Sequence, residues 1–298
     1  MNIVMYHYVR PKNNENGKLR YLTLDQFQNQ LDYFEKNLGF LSQEEFIYNL
    51  KNKIISEKVL LTFDDGLIDH YTNVFPVLKE RNIKGLFFIP TAILNQVRIL
   101  NVHKIHYLLV KRNPRLLFKI ACEIINEKQI KIAKIVDKEA YKYSKHEEFE
   151  LKLKALFNYQ LDYDSSNIVS DQLLNHFGLN HDFSSELYMN KNHIKEMYEN
   201  DQIFGSHTVN HKILSTLDFE NQILEIKNSI DVLSKFIYNE FKTISYPFGY
   251  KFTYNSDTIK VLKKLNVDYG FVFDNKKNSS FNKYEVSRID CNRFINIK

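Results

Sequence analysis

The chain has 298 residues, 44% hydrophobic and 26% charged, so it can bury a substantial core and lacks the composition of a disordered protein. Its formal net charge of +5 is mild and its lysines are spread along the chain, which argues against a nucleic-acid-binding module. Two widely separated cysteines argue against a disulfide framework.

Short apolar segments alternate with amphipathic segments along most of the chain. Strands are predicted at 2–6, 58–63, 84–89, 202–206, 242–246, 268–273 and 285–290. Helices are predicted after the capping patterns Thr23-x-x-Gln26 and Ser42-x-x-Glu45, and over 70–81, 219–237 and 256–265. Strands that alternate with helices indicate a parallel sheet, so we predict an α/β fold.

Residues 95–195 interrupt this alternation. They include a charged helical segment near 137–158, and we interpret them as a mostly helical insertion between two strands. The expected organisation is therefore one domain, 1–298, with a helical insertion at about 95–195. An insertion at the mouth of a site would shape what that site binds.

Two short strings, each directly after a predicted strand, carry chemically active side chains. The first places Asp64 and Asp65 before Gly66, and the second places His207 and His211 four residues apart. On a helical turn two residues at that spacing face the same way, so we expect the imidazoles to converge. Two histidines and one carboxylate suit a divalent metal with open positions, and the other carboxylate can serve as a base. The alternative is a helix-capping aspartate pair with two solvated histidines.

These strings resemble motifs of the polysaccharide deacetylases, carbohydrate esterases of the nodulation-factor deacetylase homology group. The matching stretches are 60–66, 84–90, 205–217 and 244–249, and the resemblance covers 1–95 and about 200–295. It implies a catalytic domain built as a distorted seven-stranded (β/α) barrel. The motifs would then lie at the carboxyl ends of the barrel strands, where such folds keep their active sites.

The resemblance also implies roles for individual residues. Asp64 would be the general base, while Asp65, His207 and His211 would hold a divalent metal. Zinc is the first choice of metal, with cobalt, nickel and manganese as alternatives. The turn after the fifth predicted strand would line the acetyl pocket and supply a backbone N–H to the oxyanion; it consists of Tyr246, Pro247, Phe248 and Gly249.

Two departures from the family pattern concern the groups around the base and the acid. Ser245 stands where many members have an arginine that orients the base, and no clear Leu-x-His occurs near the C-terminus. His7, after the first strand, is similar to the acid histidine of circularly permuted deacetylases from biofilm polysaccharide processing. Histidine is suited to protonating a leaving amine near neutral pH. The alternative for His7 is a structural histidine at a strand end.

The last predicted strand places Arg288 and Asp290 on one face. We expect Asp290 to support His7 and Arg288 to hold Asp64 or a substrate oxygen, with a strand-edge ion pair as the alternative.

The function expected from the resemblance is removal of the acetyl group from an N-acetylated amino sugar. The start of the chain lacks a signal-peptide pattern and no run is long enough to span a membrane. If that start is native, the sequence predicts a cytoplasmic enzyme that acts on a nucleotide-linked, lipid-linked or oligosaccharide substrate in surface polysaccharide or glycan biosynthesis. The alternatives are a deformylase of a formamido sugar and a catalytically inactive carbohydrate-binding relative.

Overall fold

A computed structural model describes residues 2–13, 19–95, 99–133, 147–180, 182–238, 241–278 and 282–295, without the side chains of Gln43 and Asn95. The chain divides into two compact units. The first comprises Met1–Lys12, Tyr21–Val97 and Ser185–Lys298, and the second comprises Asn13–Arg20 and Arg98–Ser184. Whether the second unit acts as an insertion into one catalytic domain stays a prediction.

Parallel strands of the first unit form a closed barrel. The strands in chain order are β1 (Asn2–Tyr6), β2 (Val9–Arg10), β3 (Leu22–Thr23), β4 (Val59–Phe63), β5 (Gly85–Ile89), β6 (Ile203–Ser206), β7 (Thr243–Ser245), β8 (Tyr269–Phe273) and β9 (Val286–Asp290). Around the barrel the order is β1-β4-β5-β6-β7-β8-β9, and β9 pairs with β1 to close it. Strands β2 and β3 form a separate parallel pair. The prediction of a seven-stranded α/β barrel is confirmed.

Helices account for most of the other residues that the structure describes. They are α1 (Leu24–Asn37), α2 (Gln43–Asn52), α3 (Phe75–Glu80), α4 (Ala92–Asn95), α5 (Asn101–Lys111), α6 (Pro114–Glu127), α7 (Glu148–Ala155), α8 (Tyr163–His176), α9 (Ser184–Leu187), α10 (Lys191–Glu199), α11 (Phe219–Leu233) and α12 (Ser256–Lys264). Short 3-10 helices cover Leu214–Thr216 and Cys291–Phe294, and π-helices cover His70–Val74 and Leu156–Gln160. No helix in the described ranges is long and apolar enough to cross a membrane.

Both predicted capping boxes are present, at Thr23 for α1 and Ser42 for α2. The segment predicted as one helix over 70–81 instead begins as the π-helix and continues as α3. Pro76 explains the irregularity, because proline has no N–H to donate to the carbonyl four residues earlier. Part of the helix predicted near 137–158 lies outside the described residues; the described part includes α7.

The barrel core is rich in aromatic rings, and every residue of β1, β4 and β5 is buried, as expected for strands covered on both faces. The Phe63 ring stacks on Tyr6 and on Phe87, with centroid distances of 5.1 and 4.6 Å. The second unit has its own apolar core, formed by α5 to α8 and the π-helix after α7.

Candidate metal and catalytic centre

The chemically active residues follow barrel strands at one end of the barrel. His7 follows β1, the Asp64–Asp65 pair follows β4, and His207 follows β6. All seven strands run parallel, so their carboxyl ends share one rim and these side chains meet there.

Asp65, His207 and His211 converge on one point. Each offers one ligand atom, and the three atoms lie within 4.8 Å of one another. Asp65 Oδ1 is 3.5 Å from the Nε2 atoms of both histidines. One carboxylate and two imidazoles at these separations can hold one divalent ion and leave coordination positions open.

The His207 ring is oriented for metal binding through a second contact. Its Nδ1 lies 2.8 Å from the Ser245 carbonyl oxygen, a pure acceptor, so Nδ1 carries the proton and donates it there. The Nε2 lone pair then faces Asp65, and such a partner on the far ring nitrogen is typical of histidine ligands. The donor set and its orientation therefore fit a divalent metal.

The two histidines do not lie on a helical turn, as the spacing predicted, but on an irregular loop after β6. Thr208 and His211 have backbone φ angles of 63° and 57°, in the left-handed region. These conformations are uncommon for residues other than glycine, and strained backbone of this kind is found at functional sites. His211 N–H donates to the Thr208 hydroxyl at 3.0 Å, which closes the loop.

Glu225 on α11 braces this loop. Its carboxylate accepts the backbone N–H groups of Val209 and Asn210, at 3.1 and 2.9 Å, and the Asn210 side-chain amide at 2.7 Å. The side chain is buried, so these bonds form in a low dielectric where they count for more. Glu225 was not predicted from the sequence. The signal was a polar stripe at positions i, i+3 and i+7 on the buried face of α11, formed by Gln222, Glu225 and Ser229.

The adjacent aspartates point to different partners because Asp65 itself takes a left-handed conformation, with φ 76°. Gly66 follows with φ 63°, and a Cβ atom there would lie 2.6 Å from Ile93 Cδ1. Asp65 consequently faces the histidines, whereas Asp64 turns towards β7 and β9. The chain thus separates two neighbouring carboxylates into two environments.

Asp64 forms a buried ion pair with Arg288. The guanidinium donates two bonds to the carboxylate, at 2.7 and 2.8 Å, and both side chains are at most 3% exposed. Arg288 also donates to the Ser245 hydroxyl at 2.7 Å, and that hydroxyl donates to Asp64 at 3.3 Å. Burial raises the pKa of Asp64, but Arg288 and His207 outweigh it and the pKa lies below its ordinary value. Of the two expectations for Arg288, contact with Asp64 is the one observed.

His7 lies beside the metal-ligand cluster and faces solvent in part. Its Nε2 is 4.0 Å from Asp65 Oδ2, and its side chain is 41% exposed. Asp290 does not support it, contrary to the sequence expectation. The Asp290 carboxylate instead accepts the Asn292 N–H at 2.8 Å and caps the 3-10 helix that follows β9.

Of the side chains in the predicted acetyl-pocket turn, one lies in the core and another lies beside the candidate metal ligands. The Tyr246 ring is fully buried, its hydroxyl donates to the Tyr284 carbonyl and its N–H to the Phe271 carbonyl, so this side chain belongs to the core. The Phe248 ring packs against the edge of the His211 ring with centroids 4.9 Å apart. Gly249 has φ 71°, and a Cβ atom there would lie 2.7 Å from the backbone N of Phe273.

Comparison with known proteins gives a match to a family model and likenesses to solved structures. The family model for polysaccharide deacetylases matches residues 51–106 and 170–270, which is more than half of the chain. No curated protein is similar enough in sequence to give a match.

Three solved structures resemble the protein over 97% of its length. They are the Streptococcus pyogenes deacetylase PplD in complex with acetate (21% identity, 91% of that chain, TM-score 0.59), IcaB from Ammonifex degensii (16%, 90%, 0.56) and a de-N-acetylase from Aggregatibacter actinomycetemcomitans (13%, 95%, 0.58). At these identities the likeness shows a shared fold.

Proposed function

Because this chain belongs to the polysaccharide deacetylase family, we propose that it is a metal-dependent amide hydrolase that removes acetyl from an N-acetylated amino sugar. The proposal rests on one observation: the side chains at the carboxyl ends of the barrel strands have different partners. Three side chains converge as a candidate ligand set, and a fourth, the buried Asp64, lies 4.0 Å from His207 Nε2 but pairs through both of its oxygens with Arg288.

Asp65, His207 and His211 would hold the metal, with zinc first and cobalt, nickel or manganese as alternatives. The ion, when bound, would polarise the acyl carbonyl and lower the pKa of a water molecule. The orientation of His207 by the Ser245 carbonyl supports this role.

Asp64 is proposed to take the proton from the attacking water. Arg288 holds this carboxylate ionised and fixes both of its oxygens. It therefore supplies from β9 the orienting cation that the sequence pattern lacks at Ser245. Ser245 keeps a part of that role, because its hydroxyl contacts both Arg288 and Asp64.

His7 is proposed as the general acid. Water adds to the carbonyl carbon, the C–N bond breaks, and the departing nitrogen takes a proton from the imidazole, leaving acetate and a free amine. Strand β1 lies between β9 and β4 in the closed barrel, so a histidine after β1 stands directly beside Asp65. This position supports an enzyme of the circularly permuted type.

The turn after β7 is proposed to receive the acyl group. Tyr246 donates its N–H within the barrel and Pro247 has none, and within this turn the proposed oxyanion donor is the N–H of Gly249. The Phe248 ring, packed on His211, would form one wall of the acyl pocket.

Acyl release identifies the substrate. The zinc-loaded protein is incubated with nucleotide-linked, lipid-linked and oligomeric N-acetylated amino sugars and with N-formylated counterparts, and released acetate and formate are measured. We expect acetate release that Asp64→Asn abolishes. Formate release alone would favour the deformylase, and no acyl release from any substrate, with metal bound, would favour the inactive binding relative.

A further inference from the structure

The segment His7–Arg10 follows β1 and carries the proposed acid. It is contacted by side chains from the residue before the π-helix His70–Val74 and from the π-helix itself. Three side chains there contact it: Asp69, His70 and Asn73, which we name the clamp. They come only four to eight residues after Asp65 in the chain.

His70 makes the contact closest to the acid. Its Nε2 lies 2.8 Å from the carbonyl oxygen of His7 itself, and the ring is fully buried against Phe63 and Phe87, with centroids 5.4 and 5.8 Å away. Burial lowers the pKa of His70 to about 4, so the ring is neutral at ordinary pH. Since a carbonyl only accepts, the Nε2–H tautomer donates to it.

The other two members hold the next residues of the segment. The Asn73 amide donates to the Val9 carbonyl at 2.8 Å, and the Asp69 carboxylate accepts Arg10 Nε at 2.7 Å. The Val9 N–H also donates to Asp69. Asp69 is 4% exposed and Arg10 21% exposed, so the bonds that Asp69 accepts are charge-assisted and partly buried.

The imidazole of His7 has no comparable anchor of its own. Across the part of the chain that the structure describes, no hydrogen bond reaches the ring, and Asp290 is engaged with the 3-10 helix. When no hydrogen bond holds a side chain, its position relative to the site depends on how firmly its backbone is held.

We propose that Asp69, His70 and Asn73 are positioning residues that set the proposed acid at a fixed distance from the metal ligands. The inference rests on the proposed acid role of His7. The connection between β4 and the π-helix would then contribute to three parts of the site. It supplies the proposed base Asp64, the candidate ligand Asp65 and the clamp that positions the proposed acid.

A matched pair of variants tests the donor. In His70→Phe the ring still fills the space beside the stacked rings of Phe63 and Phe87, but the N–H is lost. In His70→Gln the side-chain amide can place a donor near the same point. The substrates are an N-acetylglucosamine oligomer, whose amine needs a proton to leave, and 4-nitrophenyl acetate, whose phenolate does not.

We expect His70→Phe to bind zinc normally and to lose about 10- to 100-fold in kcat on the oligomer, since small misplacement of a catalytic group has effects of that order. Its KM on the oligomer and its rate on the ester should change less than about threefold, because the acid is not used to bind substrate or to expel phenolate. His70→Gln should recover most of the lost kcat. Equal losses on both substrates, no loss, or no recovery in the glutamine variant would overturn the proposal.

Asn73→Ala carries the test if His70→Phe fails to fold, with Thr72→Ala as its control. Thr72 lies in the same π-helix but is exposed, and its hydroxyl donates to the carbonyl oxygen of Ile68. Asn73→Ala should lower kcat on the oligomer selectively, and Thr72→Ala should not; equal behaviour of the two variants would overturn the clamp. His7→Ala separates the two hypotheses: if it loses activity equally on both substrates, the acid role fails, and if it is selective while the clamp variants are not, only the clamp fails.

Discussion

Loss of the Arg288 guanidinium gives a quantitative test of the buried pair. In Arg288→Met a side chain of similar length but no charge replaces the partner of Asp64, leaving that carboxylate with the Ser245 hydroxyl at 3.3 Å and His207 Nε2 at 4.0 Å. Both partners are at most 3% exposed. Removing one member of a buried pair typically costs about 3–5 kcal/mol, and we expect a loss of unfolding free energy in that range.

A double-mutant cycle isolates the interaction. Urea unfolding of metal-free wild type, Arg288→Met, Asp64→Asn and the double variant gives the coupling energy, which should reach about 2–3 kcal/mol because the double variant leaves no unpaired charge. Arg81→Met is the control: its partner Asp32 is 61% exposed and Arg81 itself 24%, so this surface pair should contribute under about 1 kcal/mol. Additive effects at Arg288 and Asp64, or a cost no larger than at Arg81, would refute the reasoning.

Three further predictions concern the brace, the clamp and the acid. Glu225→Gln should weaken zinc binding by about 10-fold, because an amide N–H replaces one of the carboxylate oxygens that accept hydrogen bonds from the loop after β6. Chelator competition measures this affinity, and an unchanged value would show that the loop does not need the Glu225 carboxylate. The pKa of His70 is about 4 in the folded protein and about 6.5 in the unfolded chain, so the unfolded chain binds the proton more readily between these pH values. The free energy of unfolding should therefore fall by about 3 kcal/mol as the pH drops from 6.5 towards 4. Urea titrations of metal-free His70→Phe should lack that component, and parallel curves for the two proteins would contradict it. His7→Ala should keep its metal and lose at least about 100-fold on the amide substrate while hydrolysing 4-nitrophenyl acetate at a rate much closer to wild type.

The strands and the candidate ligand cluster could be predicted from the sequence because their signals are local. Short apolar runs placed each barrel strand to within one or two residues. Residue type with spacing indicated His207, His211 and one of the two aspartates, and the family resemblance implied that this aspartate is Asp65. The way the two histidines converge could not be predicted, since a left-handed residue at His211 leaves no mark in composition. The i, i+4 spacing suggested a helical turn, whereas a loop braced by Glu225 brings them together.

Contacts between distant strands were the harder part. Because side chains alternate between the two faces of β9, Arg288 and Asp290 were both predicted to face the site. The closed barrel shows that Arg288 contacts Asp64, whereas Asp290 caps the 3-10 helix that follows β9. The clamp was missed for the same reason: its residues are ordinary helix-start side chains until β1 is placed beside them. Long-range pairing, not residue type, decides those roles.

The separation of the two adjacent aspartates is the central claim, and metal content measured beside acetate release tests it most directly. Elemental analysis of zinc-loaded Asp64→Asn and Asp65→Ala, with acetate release from the substrate found for the wild type, gives both quantities on the same samples. We predict that Asp64→Asn keeps the metal and loses about 10²–10⁴-fold in turnover, as for removal of a general base, while Asp65→Ala loses the metal itself. Metal lost from Asp64→Asn and retained in Asp65→Ala would contradict the account and reverse the two carboxylates.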